Sequence, residues 1–258
     1  MQNADAGGCR DIDSLADTVR KREPILRLLA DAPRDQRDLR DELDVSRSTV
    51  YKSVQKLRDA DLIIERNGQY ELTGFGRLAW QRHDDYLARL HRLSTAQRLI
   101  ETLPDDRPFP LSVFEHGRII VPGRHAPERP LDRLSAVGER TDHLRVLSPS
   151  GMPRFLADLH SNVEAGEQTA SIVAESNAID RLRDGYDDFS AAVGTDGLDI
   201  RSVEEQLPYA IVIFDSSEIG LFGYENGLLV GAAFTTDPDA ISWGEGTFER
   251  ALERSERI

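Results

Sequence analysis

Ser46-Arg47-Ser48-Thr49-Val50-Tyr51-Lys52-Ser53-Val54-Gln55-Lys56-Leu57 is the stretch on which the reading of this chain turns. Val50, Val54 and Leu57 recur at i, i+4 and i+7, so a helix through them carries one inward apolar face. Arg47, Ser48, Tyr51, Lys52 and Gln55 fall on the other face, with side chains that reach base edges and phosphates. Ser46 is placed to cap such a helix, its hydroxyl accepting a backbone N–H two or three residues on. This is the make-up of a helix that enters a DNA major groove. An ordinary surface helix can carry the same residue types, so the neighbouring sequence has to decide.

Upstream, residues 14–30 are amphipathic through Leu15, Val19, Ile25, Leu26, Leu28 and Leu29. Pro24 falls within this run and either kinks one helix or starts a second. Residues 36–43 predict a short helix with Leu39 and Leu43 on one face, and Asp44-Val45 leaves room only for a tight turn. Downstream, Leu62-Ile63-Ile64 and Tyr70-Glu71-Leu72 flank Asn67-Gly68, the strongest short-range hairpin signal. That hairpin is the wing, and Arg66 is expected at its base, beside phosphate or the minor groove. Ser46, Thr49, Gln55, Lys56 and Arg66 are expected on phosphates; Arg47, Ser48, Tyr51 and Lys52 are expected on bases.

The residues 38–43, Ser46-Arg47-Ser48-Thr49-Val50, Leu57 and the wing together resemble archaeal winged-helix transcription regulators. The resemblance implies double-stranded operator DNA as partner. A winged helix used only for protein contacts, an interaction adaptor, is the alternative.

Composition bounds the rest. The 258 residues suffice for two modest domains, and the net charge is −14. Only Lys21, Lys52 and Lys56 are lysines among 32 basic residues, a bias expected of a halophilic cytoplasm or of a GC-rich genome. Residues 1–80 hold 14 basic and 15 acidic side chains, whereas 81–258 hold 18 and 31. A nearly neutral reader on an acidic body is expected to disfavour nonspecific DNA binding. The single cysteine, Cys9, excludes an internal disulfide and a multi-cysteine zinc site, and reads as an inert thiol in a tail. No apolar run reaches about 18 residues and no signal peptide is legible, so a cytoplasmic protein without membrane contact is expected.

The expected organisation is a tail over 1–13, a winged helix-turn-helix over 14–75, a linking helix over 76–104 and an effector or sensor domain over 105–258. Leu87, Leu90, Leu93, Ala96, Ile100 and Leu103 give the linking helix an apolar stripe. The stripe fits either pairing with its twin in a homodimer or packing on its own effector domain. Beyond Pro104–Pro110 the pattern predicts strands over 111–121 around His116-Gly117, helix over 131–140 and strand over 144–147. Helix over 152–165, strand over 169–174, helix over 179–192 and strand over 198–203 follow. Strands over 209–215, 218–224 and 228–234 then precede a helix from Asp237 to the end. This α/β (α+β) pattern implies a mixed sheet.

Leu207-Pro208-Tyr209-Ala210-Ile211-Val212-Ile213-Phe214-Asp215, Gly220-Leu221-Phe222-Gly223-Tyr224 and Ala240-Ile241-Ser242-Trp243 resemble the effector domain of methanogenesis-regulatory-protein-type regulators. That resemblance implies a sensor with a phospholipase-D-like fold that has lost its catalytic residues. The residues agree: no lysine follows Lys56, so neither a His-x-Lys phosphodiesterase motif nor a Schiff-base lysine can form there. A phosphodiester-processing enzyme is therefore the least favoured reading. His83, His91, His116, His125, His143 and His160 are scattered, and neither metal nor cofactor is expected. For a small-molecule effector the candidates are Ser148 and Ser150, at a strand–helix junction, and Asp215 and Ser216, at a strand end. The plainer readings, an N-cap and a turn, are favoured for both pairs.

Overall fold

The computed structural model describes residues 11–105 and 109–258, which form two compact units, up to Ala88 and from Arg89 onward. Cys9 and most of the expected tail lie outside the described residues.

In the first unit α1 (Ile12–Lys21) begins two residues earlier than expected, capped by Asp11, whose carboxylate accepts Asp13 N–H at 3.1 Å. The amphipathic run over 14–30 is two helices, because it breaks at Arg22. Pro24 stands in the first turn of α2 (Glu23–Asp31), where its missing N–H costs nothing. The short helix α3 (Gln36–Leu43) has a reciprocal capping box between Asp35 and Asp38. Asp44, left-handed at φ 49°, turns the chain into α4 (Arg47–Asp59). Ser46 accepts Thr49 N–H at 3.2 Å and so caps α4.

β1 (Ile63–Arg66) and β2 (Gln69–Leu72) pair antiparallel through Asn67 and Gly68, both left-handed at φ 52° and 81°. These are the dihedrals of the two-residue turn that matches strand twist, and Gly68 adopts its angle without a Cβ clash. Arg34 extends the pairing: it exchanges backbone bonds with Tyr70 at 3.1 and 2.8 Å. Val50, Val54 and Leu57 of α4 close a core with Leu26, Leu39, Leu62 and Trp80. The long helix α5 (Gly74–Ile100) follows the wing directly.

The second unit holds an eight-stranded mixed sheet. In chain order its elements are α6 (Ser112–Glu115), β3 (Arg118–Ile120), α7 (Arg129–Gly138), β4 (His143–Ser148), α8 (Pro153–Glu164) and β5 (Thr169–Glu175). Then come α9 (Ser176–Gly185), α10 (Phe189–Gly194), β6 (Leu198–Val203), β7 (Tyr209–Phe214), β8 (Glu218–Glu225), β9 (Leu228–Thr235), α11 (Pro238–Glu253) and β10 (Glu256–Arg257). Strands lie in the order β10-β6-β5-β4-β7-β8-β9-β3. β4, β5 and β6 are parallel and the remaining pairings antiparallel.

Alternation along the strands supplies two cores. Val146, Ile172, Ile200 and Val212 face α7, α8, α9 and α10. Leu147, Val173, Ile211 and Ile213 face α6, α11 and the end of α5. Phe114, Phe214, Phe222 and Phe248 are the largest fully buried side chains, and truncating one costs about 3–5 kcal/mol.

Three expectations are corrected. The segment expected as strand over 111–121 is helical first: Leu111 to Glu115 make one turn, with Val113 and Phe114 buried, and only residues 118–120 pair, with β9. The helix expected over 179–192 is two, because the chain turns extended at Tyr186. The last helix stops at Glu253, and residues 256–257 return to the sheet beside β6. Of the Pro-rich break, residues 106–108 lie outside the described residues.

Candidate nucleic-acid interface

The side chains of α4 divide as its 3.6-residue period requires. Val50, Ser53, Val54 and Leu57 are buried. Ser48, Tyr51 and Lys52 are exposed on the opposite face and Gln55 is half-buried there. Tyr51 keeps 57% of its surface in water, so the fold gains little from its aromatic ring. Arg47 lies on the edge towards the wing. Arg58, on the same edge, forms an ion pair with Glu65 of β1 at 3.2 Å. Lys56 lies on the other edge, in a shallow groove with Ser14, Leu15 and Thr18 of α1.

At the amino end of α4 three hydroxyls cluster, Ser46 Oγ standing 2.9 Å from Ser48 Oγ and 2.8 Å from Thr49 Oγ1. Together with the amino-terminal N–H groups of the helix they form a donor-rich end of the kind that receives a phosphate.

Charge pairing distinguishes these residues from several neighbouring arginines. Arg34 is paired with Glu42, Arg37 and Arg40 with Asp41, and Arg66 with Glu71. By contrast, Arg47, Lys52 and Lys56 have no carboxylate within 4 Å among the described residues. Three cations on the outer surface of α4 are thus left unneutralised, as are the exposed Arg27 of α2 and Arg77 of α5.

Arg66 is not at the base of the wing. Its Cα partner is Gln69, which places it at the tip, one residue from the Asn67-Gly68 turn. Its guanidinium holds Glu71 Oε1 at 3.0 Å with most of its surface exposed. Sequence reasoning passed over Arg58, whose bond to Glu65 ties α4 to the wing; the seven-residue separation carries no local signal. Also on the wing, burial and the nearby Glu65 carboxylate push the Tyr70 phenol up, so it remains a neutral hydroxyl.

The effector candidates do not come together. Ser148 ends β4 on the carboxyl edge of the parallel strands, where its hydroxyl donates to Ser150 O at 2.8 Å and accepts Ser150 N–H at 3.2 Å. Asp215 and Ser216 lie at the opposite edge, because β7 runs antiparallel to β4 and its last residue, Phe214, pairs with Leu144, the second residue of that strand. They are turn residues at φ 49° and 54°. The Asp215 carboxylate accepts His143 N–H at 2.7 Å and Asp142 N–H at 3.2 Å. Ser216 Oγ accepts from Arg145 at 2.7 Å, and this hydroxyl and Arg145 together hold the Glu245 carboxyl below its ordinary range.

Among the histidines, His160 is buried with both ring nitrogens engaged, by Tyr186 OH at 2.7 Å and Thr195 Oγ1 at 2.8 Å. Among the described residues no three His, Cys, Asp or Glu side chains converge as a metal site. No described helix is long and apolar enough to cross a membrane.

Two family models account for most of the chain. The HVO_A0261 N-terminal domain matches residues 9–98. The middle domain of the methanogenesis regulatory protein FilR1 matches residues 127–254. No curated protein matches. Among solved structures, TrmBL2, an archaeal chromatin protein with a novel mode of DNA binding, is 11% identical over 95% of this chain and 99% of its own, with a TM-score of 0.45. NucT from Helicobacter pylori is 11% identical over 55% of this chain and 98% of its own, at 0.45. Nuc from Salmonella typhimurium, a phospholipase D family member, is 12% identical over the same shares, at 0.40. All three superpose loosely. With a helix-turn-helix and wing in the first matched segment and the mixed sheet in the second, the chain is a DNA-binding transcriptional regulator that joins an HVO_A0261-type amino-terminal domain to a FilR1-type middle domain.

Proposed function

We propose that this regulator reads double-stranded operator DNA in the cytoplasm as a homodimer, with α4 in the major groove and the wing tip on the backbone. The observation that carries the reading is the set of exposed, carboxylate-free cations on α4, Arg47, Lys52 and Lys56, beside the exposed Tyr51. Arg47, Ser48, Tyr51 and Lys52 contact base edges; Ser46, Thr49, Gln55, Lys56 and Arg66 contact phosphate. The α/β unit is read as sensing or associating; without a lysine it can form neither a His-x-Lys phosphodiesterase motif nor a Schiff base.

The support for a dimer is on α5. Leu78 and Tyr86 keep 63% and 58% of their surface in water, and Leu87 and Leu90 are also exposed. Single exposed apolar residues are ordinary, but several on one helix mark an association surface. Tyr86→Glu with Leu78→Glu is expected to halve the particle mass in sedimentation; an unchanged mass removes α5 from the interface.

The deciding experiment is chromatin immunoprecipitation of the tagged protein, repeated with Arg47→Ala. Sharp peaks sharing a palindromic motif are expected. Arg47→Ala should cost about 1–3 kcal/mol and relax one base position. A loss uniform across sequences makes Arg47 a phosphate contact. Absence of enrichment with folded protein moves the reading to a protein-interaction adaptor.

A further inference from the structure

A second feature of the α/β unit is unused by any part of this reading. Between the amino-terminal halves of α7 and α8 lies a cleft of about 480 Å³, inside the roughly 300–1,000 Å³ range of small-molecule sites. Leu131, Leu134, Met152 and Phe155 form its walls. Leu134 is buried, but Leu131, Met152 and Phe155 are only partly covered, so apolar surface that packs on the core still meets water. Gly151 fixes the floor: a Cβ there would meet the Ala178 carbonyl oxygen of α9 at 2.3 Å, so the strand–helix junction lies hard against its neighbour.

The mouth is acidic. Glu128, Asp132 and Asp158 border it, with Arg154 as its one cation. Some acids of this unit have arginine partners, among them Glu115, Glu205, Glu218, Glu225 and Glu245. Among the described residues the three carboxylates at the mouth have none, nor does Arg154 have an acid. Three negative charges against one positive leave a surplus of two. The amino ends of α7 and α8 return about half a positive charge each. The mouth therefore stays net negative, and an anion is repelled.

We propose that this cleft binds a small organic cation with an apolar body: an ammonium group at the Glu128, Asp132 and Asp158 mouth and an aromatic or branched aliphatic body against Met152 and Phe155. The apolar walls supply the non-directional part of the affinity. The carboxylates select the charge, and the Phe155 ring offers a face to it.

The chain has two methionines, Met1 and Met152, so a methyl-¹³C-methionine spectrum of the full-length protein reports the cleft through one signal, assigned by Met152→Leu. Three probes share a phenyl body: phenethylamine, 2-phenylethanol and 3-phenylpropionate. The Met152 methyl signal should shift saturably with the amine and respond more weakly to the alcohol and the carboxylate. Asp132→Asn with Asp158→Asn, both exposed positions, should weaken the amine by roughly three- to tenfold, the range for partly exposed ion pairs. A Met152 signal unmoved by the amine, equal binding of the alcohol or carboxylate, or undiminished binding in the double variant each overturns the proposal. The readout involves no DNA, so it stands or falls apart from the operator reading.

Discussion

At the residue scale, the chemistry of single side chains follows the partners each has. Asp237 caps α11, accepting Asp239 and Ala240 N–H at 3.1 and 3.3 Å, and also binds His116 Nδ1 at 3.0 Å. The Ser112 hydroxyl first, then His116 and these backbone donors hold its carboxyl below the ordinary range. A carboxylate depressed in the folded state stabilises the fold at pH values above its unfolded pKa and loses that contribution as pH falls through the folded value. Asp237→Asn keeps a capping acceptor but removes the charge. Its Tm deficit against wild type should be constant above about pH 5 and shrink towards pH 3. A deficit that persists at pH 3 would assign the effect to packing. This arrangement could not be read from sequence, since His116 and Asp237 are 121 positions apart. The Ser46 cap was legible because donor and acceptor are three residues apart.

At the element scale, the helix-turn-helix and wing were legible almost to the residue, and for the same reason: caps, the left-handed Asp44 and the Asn67-Gly68 turn are local. Gly68→Val places a β-branched residue at φ 81° and should destabilise the first unit by about 1–2 kcal/mol, read as a lower Tm of that transition. Since no atom lies within 4 Å of a Cβ at Gly68, the loss would come from backbone strain, and an unchanged Tm would show that the turn relaxes. Less was legible where pairing is non-local. Leu-Ser-Val-Phe at 111–114 has the apolar density of a strand but closes a helical turn over the sheet, burying Val113 and Phe114 together. The position of Asp215 depended on the direction of β7, which no local pattern encodes, so a residue expected near the carboxyl edge of the parallel strands stands at the opposite one.

At the scale of the whole molecule, charge is the governing quantity. The first 80 residues are almost neutral and the remainder carries nearly all of the net −14. Long-range attraction to DNA is therefore weak, and affinity has to come from contacts made after docking. If Lys56 and Arg66 alone meet phosphate in each subunit of a dimer, log K should fall with log[salt] at a slope of about −4. If Arg47 and Lys52 also meet phosphate, the slope steepens to about −7. Filter binding from 0.1 M salt upward separates the two, and the steeper value would contradict the base-reading assignment. Composition made the charge asymmetry legible; which cations are neutralised locally needed the folded positions of Glu42, Glu65 and Glu71.

The large sheet has one more consequence, at its two margins. It ends in β3, three residues long, on one side and β10, two residues long, on the other. A full-length outer strand would present a row of unsatisfied amides and carbonyls to any passing chain. Strands this short present almost none, so the sheet offers little template for growth by strand addition. Filament formation through this sheet is therefore disfavoured, and any self-association falls to helical surfaces rather than to strand edges.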